Sequence, residues 1–293
     1  MGDALDFPAD EGLRVVLRQF GVEPSELLGH GGEAWVYALD DLRVLRVLHD
    51  SGNGEHVLER QTLVDELRQH RHVLFKLPEV LECGSIGERT YAVERRLPGV
   101  AVSDALHRVD RPSRRSLIEA HLDTAALLGD LHLDARTWFG DLLGGSPVRA
   151  TTWRGFLHDK AAWSLGRAPG FEHVDPAELA ADLPDTTEGS FVHLDAFAGN
   201  MLAVGSVITS VIDIGASSIR GDRRLDPLSA VVYLCTPAIT PNADEDDRRV
   251  AQGWLANAGL SEFYEPARRW IAAFWAWAVD DPTLHQWCRS VLL

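Results

Sequence analysis

The sequence predicts an α+β protein in two lobes: an antiparallel sheet with one helix over residues 1–97, then a mainly helical lobe over residues 98–293. Three observations carry this reading. Between residues 33 and 96, short β-rich runs alternate with turn residues and are interrupted by one amphipathic stretch. Leu97-Pro98-Gly99 then breaks the pattern in the way a boundary between compact units does. Beyond it, most apolar residues recur at helical spacing.

The elements follow in order. Residues 33–39 and 42–48 flank Asp40-Asp41 and read as a hairpin. Just before them, Leu28-Gly29-His30-Gly31-Gly32-Glu33 forms a turn in which Gly29, Gly31 and Gly32 would let backbone N–H groups approach a polyphosphate. Strand alternation over 42–48 puts Val44 and Arg46 on one face and Arg43 on the other. Residues 55–70 read as an amphipathic helix with Glu59, Leu63, Glu66 and Leu67 on one face. Residues 79–83 and 90–96 complete the sheet. In the second lobe, Ser103 and Ser113 are expected to cap a short helix and a long one ending near Leu133. Residues 140–145 read as a loop, and helices are expected over 152–166, 176–182, 244–260 and 261–279. Trp270, Phe274, Trp275 and Trp277 read as core at that spacing, with the lining of a substrate pocket as the alternative. Asp175, Glu178, Asp182, Asp185 and Glu188 form either a solvated acidic face or a receiver for substrate ammonium groups.

With 293 residues, 45% of them hydrophobic and 25% charged, the chain can build a core in each lobe. The net charge of −16 argues against nucleic acid and suits a cationic small molecule. Residues 1–20 lack the apolar segment of a signal peptide, and Asp6 stands where N-myristoylation needs Ser or Thr. The apolar stretch 270–279 is too short to span a bilayer, so no membrane is expected. Cys83, Cys235 and Cys288 are widely spaced without a C-x-x-C, which fits free thiols in the cytoplasm. His70-Arg71-His72 with Cys83 is too weak a pattern for a metal site.

The most specific chemistry lies in His193-Leu194-Asp195-Ala196-Phe197-Ala198-Gly199-Asn200, with Val211-Ile212-Asp213-Ile214-Gly215 following. This reads H-x-D-x-x-x-x-N and then D-x-G, the spacing of a kinase catalytic loop and its metal-binding strand. Phosphoryl transfer needs a carboxylate to orient the attacking hydroxyl and hard oxygens to hold Mg²⁺ against the phosphates. The apolar runs 201–204 and 207–212, joined by Gly205-Ser206, read as a hairpin that would fold Asp213 back towards Asn200. In the first lobe, Val44 would roof an adenine and Arg46 would reach its phosphates. Glu59 is the carboxylate expected to hold Arg46, and the backbone of Glu94, Arg95 and Arg96 would face the adenine edge.

Together these residues resemble the aminoglycoside phosphotransferase and choline kinase group of small-molecule kinases, which have a protein kinase-like fold. The resemblance extends through Leu131-His132, residues 94–99, Gly221-Asp222 and Asp226-Pro227, covering residues 28–234. It implies Asp195 as catalytic base, Asn200 and Asp213 as Mg²⁺ ligands, and His193 as a brace for the catalytic loop. It also implies that Asp226 steadies nearby backbone. Leu194 departs from the usual Gly, Ala198 from a frequent Pro, and Arg46 from Lys, whose donor geometry differs. The implied reaction moves the γ-phosphate of ATP, with GTP as alternative, to a hydroxyl of a small molecule. An aminoglycoside would fit the charge; homoserine, choline, amino sugars and methylthioribose are the metabolic alternatives, and a nucleotide-binding pseudokinase is the non-enzymatic one. No A-P-E follows Gly215, so no protein substrate is expected.

Overall fold

A helix not expected from the sequence, α1 (Glu11–Phe20), opens the described part of the chain. Asp10 caps it by accepting from the Leu13 N–H at 2.8 Å, and Gly21 ends it in the left-handed conformation. Leu13, Val16 and Leu17 form its buried stripe at helical spacing. The computed structural model describes residues 10–49, 54–70, 73–133 and 135–293. The expectations for residues 1–9 and for Arg71-His72 lie outside these.

The chain divides into two compact units, Met1–Asp65 with Leu77–Leu97 and Glu66–Lys76 with Pro98–Leu293. In the first, β1 (Leu27–His30), β2 (Ala34–Ala38), β3 (Arg43–Leu48), β4 (Val80–Ile86) and β5 (Arg89–Arg95) form one antiparallel sheet in the order β1-β2-β3-β5-β4. Strand alternation decides what each face buries. Tyr37, Leu45, Val47 and Val93 pack with the α1 stripe and Val22. Val44 and Arg46 fall on the opposite face, the phase that the alternation predicts. Helix α2 (Glu55–Leu67) joins β3 to β4 and buries Val57, Arg60, Leu63, Val64 and Leu67.

The second unit holds two small sheets among helices. Strand β6 (Val100–Ala101) leads into α3 (Val102–Ala105) and α4 (Arg111–Leu128). Asp110, not Ser113, caps α4: its carboxylate accepts from the Ser113 N–H at 3.0 Å. With Pro112 in the first turn, where its missing N–H costs nothing, the cap lies earlier than a serine-based reading puts it. No side chain caps α3, so Ser103 does not serve there. Strands β7 (Phe139–Asp141) and β8 (Arg149–Ala150) follow, then α5 (Trp153–Leu165), capped by Thr152, and α6 (Pro176–Asp182). The loop expected over 140–145 therefore begins as a strand, because β7 pairs with a later strand of the same sheet.

Next come β9 (Ser190–Val192), the hairpin β10 (Met201–Val204) and β11 (Val207–Val211), and β12 (Ile219–Gly221). The sheet β8-β7-β12-β9 delivers the chain to residue 193, while β11-β10-β6 holds the hairpin. Helix α7 (Leu225–Leu234) is buried at all ten positions, and α8 (Glu245–Asn257), α9 (Tyr264–Trp275) and α10 (Pro282–Leu292) end the chain. Trp270 and Phe274 of α9 are core, as their spacing predicts, whereas Trp275 is half-buried and Trp277, past the end of the helix, is 39% exposed. No described helix is long and apolar enough to cross a membrane.

Candidate active site

The hairpin brings its two ends together. Met201 pairs with Val211, and the Ile212 N–H donates to the Asn200 carbonyl at 2.9 Å, so Asn200 and Asp213 flank its open end. Both edges are gripped. β6 pairs with β10, and the Lys76 backbone exchanges bonds with Thr209 and Val211 at 2.8 and 2.9 Å. Gly99 allows the first contact: a Cβ there would stand 2.7 Å from the Ala203 carbonyl oxygen. The Asn200 side-chain amide donates to both the backbone carbonyl and the carboxylate Oδ2 of Asp195, each at 3.0 Å. Its side-chain oxygen is thereby turned away as a hard donor. That oxygen and the Asp213 carboxylate are the residue types that would hold Mg²⁺, which takes few protein ligands and completes its shell with phosphate and water. Among the described residues, no three of His, Cys, Asp or Glu gather into a metal cage of their own.

Two residues beside this site are in the left-handed region, Leu194 at φ 61° and Asp213 at φ 60°. For a leucine that conformation costs roughly 1–2 kcal/mol, whereas an aspartate adopts it more readily. The departure of Leu194 from Gly thus has a physical meaning, because the backbone there favours glycine. The surrounding structure holds it. Asp226 accepts from the N–H groups of His193 and Leu194, both at 2.8 Å. Ser217 donates to the His193 carbonyl at 3.2 Å, and the Tyr233 hydroxyl donates to the Leu194 carbonyl at 2.8 Å. Further along the loop, the Ser103 N–H holds the Ala198 carbonyl at 3.0 Å.

Burial sets the protonation states here. The His193 ring bonds the Ile212 carbonyl through Nε2 at 2.9 Å, and burial lowers its pKa, so the ring is a neutral Nε2–H donor at pH 7. Burial pushes the Asp226 carboxyl up to about 7 against the pull of its two N–H donors. Burial, with the nearby Asp195 charge, raises the Tyr233 phenol well above 10, keeping it a donor.

In the first unit, Gly29 of the expected Gly-rich turn lies within β1, paired with Val36, and Gly31 and Gly32 fall between β1 and β2. Gly29, Gly31 and Gly32 face open space. The Arg46 guanidinium lies 3.3 Å from Glu33, the residue that ends the turn. Glu59 is not its partner. It stands exposed, 3.5 Å from His56, because the buried stripe of α2 runs through Val57, Arg60, Val64 and Leu67 and leaves Glu59 off it. The buried ion pair between helix and sheet is instead Arg60 with Glu94. Its polarity is reversed: the helix carries the cation and the strand the carboxylate. Glu94 lies opposite Val44 in the ladder, on the Val44 and Arg46 face. Beyond it, the Arg95 and Arg96 N–H groups donate to the Glu79 and Leu42 carbonyls at 2.9 and 2.8 Å. Both donors are thus used within the protein.

The acidic run before β9 is largely engaged. Asp175 caps α6, Asp182 pairs with Arg269 at 3.3 Å, and Asp185 lies 3.7 Å from Arg154. Sequence reasoning missed Tyr233 and Arg60. Their local signals, a phenol seven residues after Asp226 in a largely apolar run and a cation inside an apolar helical stripe, do not name their partners.

No family model matches the sequence, and no curated protein is similar to it. Solved structures are. Over 100% of this chain and 97% of the other, it superposes on the aminoglycoside phosphotransferase APH(2")-IIa in complex with streptomycin and ATP, with 13% identity and a TM-score of 0.54. Wild-type aminoglycoside 2'-phosphotransferase-IIIa in complex with GDP gives 14% identity and 0.57 over 96% and 97%. A macrolide 2'-phosphotransferase from Brachybacterium faecium gives 16% and 0.51 over 96% of each chain. The fold is that of kinase-like small-molecule phosphotransferases. At these identities the likeness speaks for the fold, and the reaction must be argued from the site.

Proposed function

We propose that this protein is an O-phosphotransferase that moves the γ-phosphate of ATP, or of GTP, to a hydroxyl of a small molecule. The observation that carries this reading is the Asp195–Asn200 pair at the open end of a gripped hairpin whose other end is Asp213. Asp195 orients the acceptor hydroxyl and takes its proton as the phosphoryl group leaves. Asn200 fixes the rotamer of Asp195 through its amide nitrogen and offers its oxygen, with Asp213, to Mg²⁺. Bound Mg²⁺ supplies neutralisation of the charge on the phosphates. His193 and Asp226 act through backbone, holding the loop on which Asp195 stands. Gly29, Gly31, Gly32, Val44 and Arg46 receive the nucleotide, and the backbone of Glu94, Arg95 and Arg96 faces its base through the Arg95 and Arg96 carbonyls, since the Glu94 carbonyl is used in the ladder with Val44.

The acceptor is a small hydroxyl compound, with no nucleic acid, membrane or protein substrate, and the reaction takes place in the cytoplasm. Solved neighbours carry streptomycin or kanamycin. An antibiotic acceptor is the first candidate on that likeness; homoserine, choline, amino sugars and methylthioribose are the metabolic ones. For a cationic acceptor, the support here is the net charge of −16 rather than the acidic run, whose members are mostly engaged in caps and ion pairs. The test is a coupled ADP- and GDP-release screen over aminoglycosides, macrolides, amino sugars and amino alcohols. Turnover with at least one acceptor is expected, together with its loss in Asp195→Asn. Nucleotide binding without turnover on any acceptor would overturn the reading in favour of a pseudokinase.

A further inference from the structure

Leu194 is fully buried in a conformation that favours glycine, and its two flanking peptide planes are held separately. On the N-terminal side, the plane is fixed at both ends, by Asp226 at the Leu194 N–H and by Ser217 at the His193 carbonyl. The plane on the C-terminal side is the one that carries the Asp195 N–H. Its carbonyl is held by the Tyr233 hydroxyl at 2.8 Å. That hydroxyl is not loose: it accepts from the Trp275 indole N–H at 2.8 Å, so its one proton is directed at Leu194. Tyr233 belongs to the wholly buried α7, and Trp275 ends α9. Two core helices thus converge through a two-bond relay on the peptide immediately before the candidate base.

We propose that Tyr233, oriented by Trp275, is a positioning residue for Asp195, locking the 194–195 peptide so that a leucine can occupy a glycine conformation in the catalytic loop. The inference rests on the phosphotransferase reading for its kinetic consequence and on geometry for the rest. Without the hydroxyl, the Leu194 carbonyl is buried without its donor and the residue is drawn back towards negative φ. That rotates the plane leading into Asp195 and moves its carboxylate relative to Asn200. The effect is therefore expected in kcat rather than in KM.

The decisive variant is Tyr233→Phe, which removes one oxygen and keeps the ring. With an acceptor from the screen, kcat should fall about tenfold with KM for nucleotide and acceptor within twofold, a ratio that corresponds to roughly 1.4 kcal/mol in the barrier. Trp275→Phe should lower kcat in the same direction by about threefold, since it frees the hydroxyl without removing it. Independently of turnover, backbone hydrogen exchange in a peptide spanning residues 190–200 should be faster in Tyr233→Phe than in the parent, while peptides from α4 stay unchanged. Unchanged exchange over 190–200 overturns the proposal. So does unchanged kcat in Tyr233→Phe when Asp195→Asn is inactive. Loss confined to KM, or a uniform rise in exchange across the unit, would show a merely structural tyrosine. Absence of turnover in the parent with every acceptor sinks the phosphotransferase reading instead, and the exchange result then stands alone.

Discussion

The two sets of candidate residues are built in opposite ways. Around the loop 193–200, each group is fixed by a buried neighbour: Asp226 and Tyr233 hold backbone, His193 reaches across to Ile212, and Asn200 holds Asp195. Around the Gly-rich turn the glycines face open space, while Arg46, its own side chain only 11% exposed, reaches the exposed Glu33 at the edge. Elsewhere in that unit the buried pair Arg60 with Glu94 ties helix to sheet. The contrast teaches where preorganisation is needed. A proton acceptor must stand within a fraction of an ångström of its hydroxyl, whereas a flexible, multiply charged polyphosphate tolerates groups that adjust on binding.

The comparison breaks first at Asp195. Asp195→Asn should lower kcat by on the order of 10³-fold with little change in melting temperature, because the Asn200 bond to the residue 195 carbonyl survives. Large destabilisation would show that the carboxylate is structural. The next test lies in the other unit. Arg60→Ala strands a buried carboxylate and should cost about 3–5 kcal/mol in a urea titration, while Arg60→Met with Glu94→Leu should recover most of it. If the double variant is no better than the single, the pair has a role beyond packing.

Asp226 gives a pH signature. Its folded-state pKa is raised to about 7 from 3.8. The folded state therefore binds more protons between those values, and the stability associated with Asp226 falls as pH rises from about 4 to 7. The melting-temperature gap between the parent and Asp226→Asn should narrow over that window. A widening gap would mean that the two N–H bonds outweigh burial. Smaller still, Arg46→Ala should raise the nucleotide KM about tenfold while altering kcat less, one charge-assisted contact being worth roughly 1.5 kcal/mol. Last, Glu59→Ala should change stability by less than about 0.5 kcal/mol, as an exposed helix position does.

Much of the second unit's site was legible because its determinants are local. Gly205-Ser206 fixes a hairpin, the hairpin fixes which residues meet at its open end, and the spacing from His193 to Asp213 does the rest. Strand phase likewise placed Val44 with Arg46. What failed depended on packing at long range. Glu59 and Arg60 are adjacent, and which one turns inward is decided by where the sheet lies, not by the helix alone. Tyr233 meets Leu194 across 39 residues, a contact that periodicity does not express. The engagement of Asp182 and Asp185 is of the same kind, since their partners come from α9 and α5.

Helix α7 has a consequence of its own. It is buried along its whole length and carries both Asp226 and Tyr233. The loop 193–200 is therefore assembled by the same event that closes the hydrophobic interior. Along a denaturant series, activity and the native tryptophan emission should be lost at one midpoint, with no plateau of well-packed but inactive molecules. Substitutions that loosen the interior far from the loop would then appear in screens as activity defects, although they touch no ligand.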